Sequence, residues 1–306
     1  MTTLVFGHKS PDTDSTGSPI IWAWYLNQIM GIKAAPALLG EPNTEALFML
    51  DHWKLEKPRI IDDVADDQPV VIVDTNNPAE LPANINNADI RAIIDHHKLA
   101  GGLETKGPIH IAMEPLACTA TIMYKIIGDD IAQMPREVKG AALTCILSDT
   151  LEFRSPTTTQ EDKAIAWALA KDLDVDIADF AAQMFAAKSD VSSFSEAELL
   201  RMDSKEYAVD GKQFRVSVLE TTSPATVLDR KDALMAAMPG VATEDGADQV
   251  LLFVVDILNE EATMLIPNDL TKTVAEKSFG ATVTGDTVVL PGIMSRKKQI
   301  IPNLKT

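Results

Sequence analysis

Residues 4–15 read LVFGHKSPDTDS. A short apolar run, Leu4-Val5-Phe6, stops at Gly7, and His8, Asp12 and Asp14 follow in a loop broken by Pro11. Apolar β-formers ending in Gly ahead of such a loop predict a buried strand that delivers polar side chains at its carboxyl end. In open α/β sheets that end is where ligands bind. One imidazole and two carboxylates within seven residues suit a divalent cation better than a nucleophile, because the loop holds no Ser-His-acid or Cys-His arrangement of clear geometry. Taken alone, the stretch also fits a strand running into an Asp-capped helix start with His8 in solvent.

Repetition separates the two readings. VVIVD (70–74) and RAIIDHH (91–97) are further apolar runs ending in acidic or imidazole residues, and GAALTCILSDT (140–150) brings Asp149 to the end of another. Packing alone does not explain apolar segments that stop at ligand-type residues three and four times over. The chain is built to collect carboxylates and imidazoles at one point.

Composition bounds the rest. At 306 residues, 46% apolar and 24% charged, the chain has the make-up of a soluble globular protein of about two domains. No apolar run approaches the ~18 residues of a membrane helix, and Ile20 to Ile32 is interrupted by Asn27 and Gln28. The N-terminus enters a strand without the basic region of a signal peptide. Cys118 and Cys145 sit among apolar neighbours without metal-site spacing, so a reduced, cytoplasmic protein is expected. With 45 acidic against 27 basic residues and a formal charge of −18, the surface would repel long polyanions. A small metal-chelated anion is the more natural ligand, with neither nucleic acid nor membrane as partner.

Short strands and helices alternate over the first 180-odd residues. Helices are predicted over Thr16 to Gly31, Thr44 to Trp53, Thr119 to Gly128, Val138 to Leu147 and Thr159 to Leu173. In the first of these, Ile20, Ile21, Trp24, Leu26 and Met30 would form the apolar face. Strands are predicted over 35–40, Arg59 to Val64, 70–74, 91–95 and around IHIAMEP (109–115). The alternation predicts an α/β fold, a doubly wound, mostly parallel sheet. The Ser-rich break in AAKSDVSSFSEAEL then predicts an inter-domain hinge. Beyond it, 214–221, a helix around Asp229 to Met238, 248–258, 262–267 and 287–290 fit a second, smaller α/β domain. The division is 1–187, a hinge at 188–195, and 196–306.

His8, Asp12, Asp14, Asp74, His96 and Asp149 could together bind two cations, each with mixed oxygen and imidazole ligands. Such a shell favours Mn, Co, Fe or Zn over Mg, which prefers oxygen and retained water. Two ions ~3.5–4 Å apart would hold a bridging water, lower its pKa and clamp an in-line phosphoryl displacement. GHKSPDTDS, VVIVD, IIDHHK and LSDT, followed by SRKKQ (295–299), closely resemble the manganese-dependent family II inorganic pyrophosphatases of the DHH phosphoesterase superfamily. The resemblance spans nearly the whole chain. It implies hydrolysis of pyrophosphate to two phosphates at a site between two domains, with two Mn2+ per subunit. Co2+ or Mg2+ would substitute, and a further Mg2+ or Mn2+ would arrive with substrate. It implies that His8, Asp12 and Asp74 hold one metal and Asp14, Asp74, His96 and Asp149 the other, Asp74 bridging. His97 would touch substrate and protonate the leaving phosphate, and Lys205, Arg296 and Lys297 of a DHHA2-like second domain would bind the phosphates. The family also implies a homodimer through the N-terminal domain.

Asp95 reads as a carboxylate that orients a histidine. His97, directly after a ligand histidine, should point away from it if the strand stays extended. One departure stands out: the family often has His-Asn after the bridging aspartate, whereas Thr75-Asn76 follow Asp74 here. Two rivals remain. One is another DHH phosphoesterase, an exopolyphosphatase or oligonucleotide phosphodiesterase; the nucleolytic relatives carry a glycine-rich C-terminal signature ending in His, but no histidine lies beyond His110. A non-catalytic metal- or phosphate-binding regulator would show a broken ligand set, and none of the six ligands is missing.

Overall fold

The computed structural model describes Met1–Thr306, the side chain of Lys297 excepted. The chain divides into two compact units, Met1–Ala187 and Lys188–Thr306.

In the first unit the apolar runs become strands. They are β1 (Thr3–Phe6), β2 (Ala34–Leu38), β3 (Arg59–Ile60), β4 (Pro69–Val73), β5 (Asp89–Asp95) and β6 (His110–Met113). They form one parallel sheet in the order β3-β2-β1-β4-β5-β6. The chain runs outward from β1 to β3, returns, and runs outward again from β4 to β6. The order therefore reverses between β1 and β4, where an open parallel sheet leaves a crevice at its strand ends. Leu4, Phe6, Val70, Ile72, Ile90 and Ile93 pack into one core against Leu81 and Ile85. Strands buried on both faces explain continuous apolar runs instead of alternation.

The helices of this unit are α1 (Thr13–Gln28), α2 (Thr44–His52), α3 (Thr119–Ile127), α4 (Arg136–Asp149), α5 (Gln160–Leu173) and α6 (Ile177–Lys188). α1 begins three residues before its predicted start, because the Asp12 side chain caps it by accepting from the Ser15 amide. That shift changes its buried face. Ile21, Trp22, Ala23 and Leu26 are buried, Trp24 is only half-buried, and Met30 lies beyond the helix at 52% exposure. None of the helices is long and apolar enough to cross a membrane among the described residues.

The second unit holds α7 (Glu196–Met202), β7 (Ser204–Val209), β8 (Lys212–Thr221), α8 (Ala225–Leu228), α9 (Lys231–Glu244), β9 (Gln249–Asp256), β10 (Glu261–Leu265), α10 (Asp269–Phe279) and β11 (Thr287–Pro291). Its sheet is mixed, in the order β11-β10-β9-β8-β7, with only β8 and β9 parallel. Central β9 is buried along its whole length between two apolar layers, one containing Phe214, Phe253 and Met264 and the other Leu199, Leu234 and Met238. Residues 189–194, within the predicted hinge, are bonded to this unit. Thr222 N donates to Ser189 Oγ, Thr226 Oγ1 to the Ser189 carbonyl, and Arg230 to the carbonyls of Val191 and Phe194.

Candidate metal centre

Each strand end at the sheet crevice delivers what its sequence carries there. Gly7, after β1, lies against the start of α1, where a Cβ would fall 2.0 Å from Ser15 Oγ. The same Ser15 Oγ accepts the His8 amide at 2.8 Å. This close approach turns His8 back over Asp12, with His8 Nε2 3.6 Å from Asp12 Oδ2 and 3.5 Å from Asp74 Oδ2. Asp74 follows β4 with φ +58°, a left-handed conformation that Asp tolerates better than most residues. Its amide is fixed by the Ile94 carbonyl at 2.9 Å. Beyond β5, His96 Nε2 lies 3.4 Å from Asp74 Oδ1 and 4.0 Å from Asp149 Oδ2. Asp149 arrives from the last position of α4.

The six predicted ligands thus converge. Among the described residues, His8, Asp12 and Asp74 form one group able to hold a cation, Asp14, His96 and Asp149 form another, and Asp74, His96 and the more exposed His97 form a third that shares residues with both. Asp74 joins the first two, since its two oxygens face His8 and His96 respectively.

Both ligand imidazoles are fixed in the same sense. His8 Nδ1 donates to the Lys9 carbonyl at 2.7 Å and His96 Nδ1 to the Leu116 carbonyl at 3.2 Å, which turns each Nε2 toward the carboxylates, where it carries a proton or gives its lone pair to a cation. Asp14 Oδ1 accepts from Ser18 Oγ at 2.6 Å and its Oδ2 from the Thr119 amide at 2.7 Å. Thr119 Oγ1 also reaches Asp74 Oδ1 at 3.2 Å.

The donor set fits divalent cations. Asp74 Oδ2 and Asp149 Oδ2 are buried with no hydrogen-bond partner among the described residues, and a buried carboxylate oxygen left unpaired is costly. The 3.4–4.0 Å separations across the cage are long for hydrogen bonds. They are close to the ~3.4 Å that tetrahedral ligands with ~2.1 Å bonds keep from one another. Electrostatics agree. Burial and the nearby Asp74 push the Asp14 carboxyl up to about 6, and burial with Asp14 raises Asp149 well above the usual range. Burial pulls the His8 imidazole down, but its contacts with Asp12 and Asp74 outweigh that and carry it to about 11. His96 likewise overcomes burial through Asp74 and Asp14 and rises to about 9. So much negative charge in one enclosure calls for cations.

His97 differs from its neighbour, though not as strand alternation predicts. β5 stops at Asp95, so the two rings escape the alternation and lie 4.3 Å apart, with His97 Nδ1 3.9 Å from Asp74 Oδ1. What distinguishes His97 is its exposure, 53% against 17% for His96, and its partner. Its Nδ1 bonds to Asp95 Oδ1 at 2.9 Å. Asp95 is fully buried and also accepts from the His97 amide and from Asn76 Nδ2. These bonds outweigh burial and hold its carboxyl below the ordinary value, while the Asp95 bond raises His97. Thr75, the departure from the family pattern, is buried and donates to Glu80 Oε2 at 2.7 Å.

In the second unit, Lys205 is exposed on β7. Arg296 donates to the Asp203 carbonyl at 2.6 Å and pairs with its carboxylate at 2.8 Å, which places it beside the start of the strand that carries Lys205. Gln299 closes the SRKKQ segment on itself by accepting from the Met294 and Ser295 amides. The expectation for the Lys297 side chain lies outside the described residues. Sequence reasoning missed Thr119 altogether. An isolated threonine opening a helix has no pattern to distinguish it, and only the fold brings it between two carboxylates.

Fold and centre together define a two-unit α/β protein that gathers mixed carboxylate–imidazole ligands at a sheet switch point, the kind of centre that activates water on phosphate compounds. Residues 2–148 match the DHH family N-terminal domain and 182–306 match the DHHA2 domain. The manganese-dependent inorganic pyrophosphatase of Bacillus subtilis is 35% identical over 303 residues, covering 98% of this chain and 97% of that protein. A Lactobacillus helveticus relative assigned to the same enzyme class is also 35% identical, with the same coverage. The crystal structure of a Methanococcus jannaschii protein assigned to the family II inorganic pyrophosphatases superposes with a TM-score of 0.61 at 30% identity, over 99% of this chain and 98% of that one. The chain belongs to the family of manganese-dependent, family II inorganic pyrophosphatases.

Proposed function

We propose that this chain hydrolyses inorganic pyrophosphate to two phosphates, using two Mn2+ per subunit with Co2+ or Mg2+ as substitutes and a further Mg2+ or Mn2+ brought by substrate. The observation that carries the reading is that Asp74 turns one oxygen to His8, beside Asp12, and the other to His96, beside Asp14 and Asp149. His8, Asp12 and Asp74 would hold one ion, and Asp14, Asp74, His96 and Asp149 the other. Bound there, the ions would supply an activated water and neutralise charge on the phosphates.

The chain's own groups do the rest. His97 keeps Nδ1 on Asp95, so its Nε2 is the atom able to deliver a proton to the leaving phosphate. Asp95 favours the protonated ring and fixes its direction. Lys205, Arg296 and Lys297 would bind phosphate oxygens, Arg296 through a planar fork and the lysines as point charges. In this reading 1–187 is the catalytic domain and 196–306 the substrate-binding domain, with a hinge within 188–195. The bonds that hold Ser189, Val191 and Phe194 to the second unit favour a pivot at the start of that segment.

The protein would act in the cytoplasm as a homodimer. The outer edge of β6, with Ile111 54% exposed, supports association through the first unit, because an uncovered strand edge invites pairing.

Phosphate release from pyrophosphate, long-chain polyphosphate, a short oligonucleotide and a phosphate monoester, each with Mn2+, tests the activity. Pyrophosphate should exceed every other substrate by at least ~100-fold in kcat/KM, a modest use of the ~8 kcal/mol or more that enzymes commonly draw on. Preference for the polyphosphate or the oligonucleotide would point to another DHH phosphoesterase. Metal binding with no turnover of any substrate would point to a regulator.

A further inference from the structure

Behind the ligand cage lies a carboxylate that the mechanism above does not use. Glu45 is 0% exposed and sits in the first turn of α2. Its Oε2 accepts from Thr13 Oγ1 at 2.9 Å and from Ser148 Oγ at 2.7 Å. Thr13 lies between the ligands Asp12 and Asp14, and Ser148 immediately precedes Asp149. One carboxylate oxygen therefore joins the two segments that bring three of the cage carboxylates. α2 is tied to the same loop a second time, where the Asn43 amide donates to the Pro11 carbonyl at 3.0 Å.

Burying a carboxylate is costly unless it is well bonded. The α2 N-terminus offsets part of that cost, and two charge-assisted hydroxyl bonds offset more. An apolar side chain would fill the same space without the penalty. What it could not do is hold Thr13 and Ser148 at a fixed separation, because a carboxylate oxygen obliges both hydroxyls to donate to one atom. Cys145 Sγ, donating to the Thr13 carbonyl at 3.3 Å, links the same two segments one turn earlier in α4, but among the described residues Glu45 alone joins them next to Asp149.

We propose that Glu45 is a positioning residue for the metal pair: through Thr13 and Ser148 it fixes the spacing of the Asp12–Asp14 turn against Asp149, and so the affinity and mutual geometry of the two cation positions. The proposal rests on the di-metal reading of the cage and goes beyond it.

The test titrates Mn2+ into metal-free, full-length wild type and Glu45→Gln by calorimetry. Electron paramagnetic resonance of the loaded forms then reports the coupling between the two ions, and thermal unfolding of the metal-free forms reports the fold. Glutamine keeps the size but can turn an N–H toward a hydroxyl that now donates. Mn2+ affinity should fall by the ~10- to 100-fold typical of a group that orients metal ligands, and the spin-coupled spectrum should change, with unfolding of the metal-free protein close to wild type. A folded Glu45→Gln with wild-type affinity and spectrum would overturn the proposal, as would lower thermal stability with both metal readouts unmoved, since that is a purely structural role. Should Glu45→Gln fail to fold, Ser148→Ala removes one of the two donors while keeping the carboxylate. The same metal readouts then decide, and a wild-type result again overturns the proposal. None of these readouts uses pyrophosphate, so a wild type that binds a coupled Mn2+ pair yet cleaves no pyrophosphate would refute the proposed activity and leave the role of Glu45 standing.

Discussion

At the scale of single residues, adjacent histidines differ in surroundings because different atoms hold their Nδ1 positions, and the proposed function gives them different parts. His96 gives its Nδ1 to a backbone carbonyl and turns Nε2 to Asp74 and Asp149, whereas His97 gives its Nδ1 to a buried carboxylate and stays open to solvent. His96→Ala should therefore weaken Mn2+ binding by more than the ~10- to 100-fold of an outer-shell change. His97→Ala should leave metal content nearly intact and lower kcat by the ~100- to 10,000-fold that general acid catalysis supplies. Metal analysis beside steady-state rates separates the two, and the reverse pattern would exchange the roles. A second expectation concerns pH. In the metal-free cage Asp14 rises to about 6, His96 to about 9 and His8 to about 11. All three then hold more protons folded than unfolded, so their contribution to stability falls as pH rises from about 4 upward. Bound cations replace those protons. The difference in unfolding temperature between Mn2+-loaded and metal-free protein should widen from pH 5 to pH 8, and a gap that narrows would contradict the charge arrangement described here.

At the scale of elements, much of the centre was legible because buried strands announce themselves. β1 and β4 are apolar almost throughout and β5 is apolar from Ala92 to Ile94, so a histidine or aspartate just after each stands out, and the ends of neighbouring parallel strands must meet. Asp149 was legible for a related reason, as a carboxylate closing the apolar α4. What stayed hidden depends on contacts distant in sequence. Glu45 and Thr119 occur in ordinary helical sequence, and their meaning arises only when α2, α3 and α4 pack around the α1 start. Other omissions had signals in plain view. Ser195 and Glu198 form a capping box that opens α7, yet the surrounding serines read as linker. Asn268 caps α10 in the same way. The β1–α1 junction gives the test at this scale. Gly7→Ala would drive a methyl into Ser15 Oγ, an overpacking that costs ~1–3 kcal/mol and displaces His8 along with the α1 start. Reduced thermal stability together with weaker Mn2+ binding is expected. A loss of stability alone would mean that the junction does not position the ligand.

At the scale of the whole molecule, a protein of net charge −18 whose cage is itself acidic must bind a substrate that is an anion. In the proposed reading cations in the cage would resolve this for one phosphate. The second would draw on positive charge from the chain, and Lys205, Arg296 and Lys297 stand in the unit that carries none of the six proposed metal ligands. Arg296 is already oriented by Asp203, so in the proposed reading it would give up little freedom on binding pyrophosphate. A short, doubly charged end can reach such a cluster, whereas a long polyanion must also approach the acidic surface. If pyrophosphate engages both groups of cations, binding should draw the units together about the start of the 188–195 segment and keep bulk solvent from the reaction, leaving the activated water as nucleophile. Solution scattering of the Mn2+-loaded enzyme should then show compaction with a non-hydrolysable pyrophosphate analogue and none with orthophosphate. Arg296→Ala and Lys297→Ala should each raise KM by about tenfold or more, as loss of a charged hydrogen bond worth ~1.5–3 kcal/mol implies, and should lower kcat with Mn2+ content unchanged. Both variants should also lose the analogue-induced compaction. Wild-type kinetics in both, with scattering indifferent to the analogue, would leave the second unit without the substrate-binding role assigned to it.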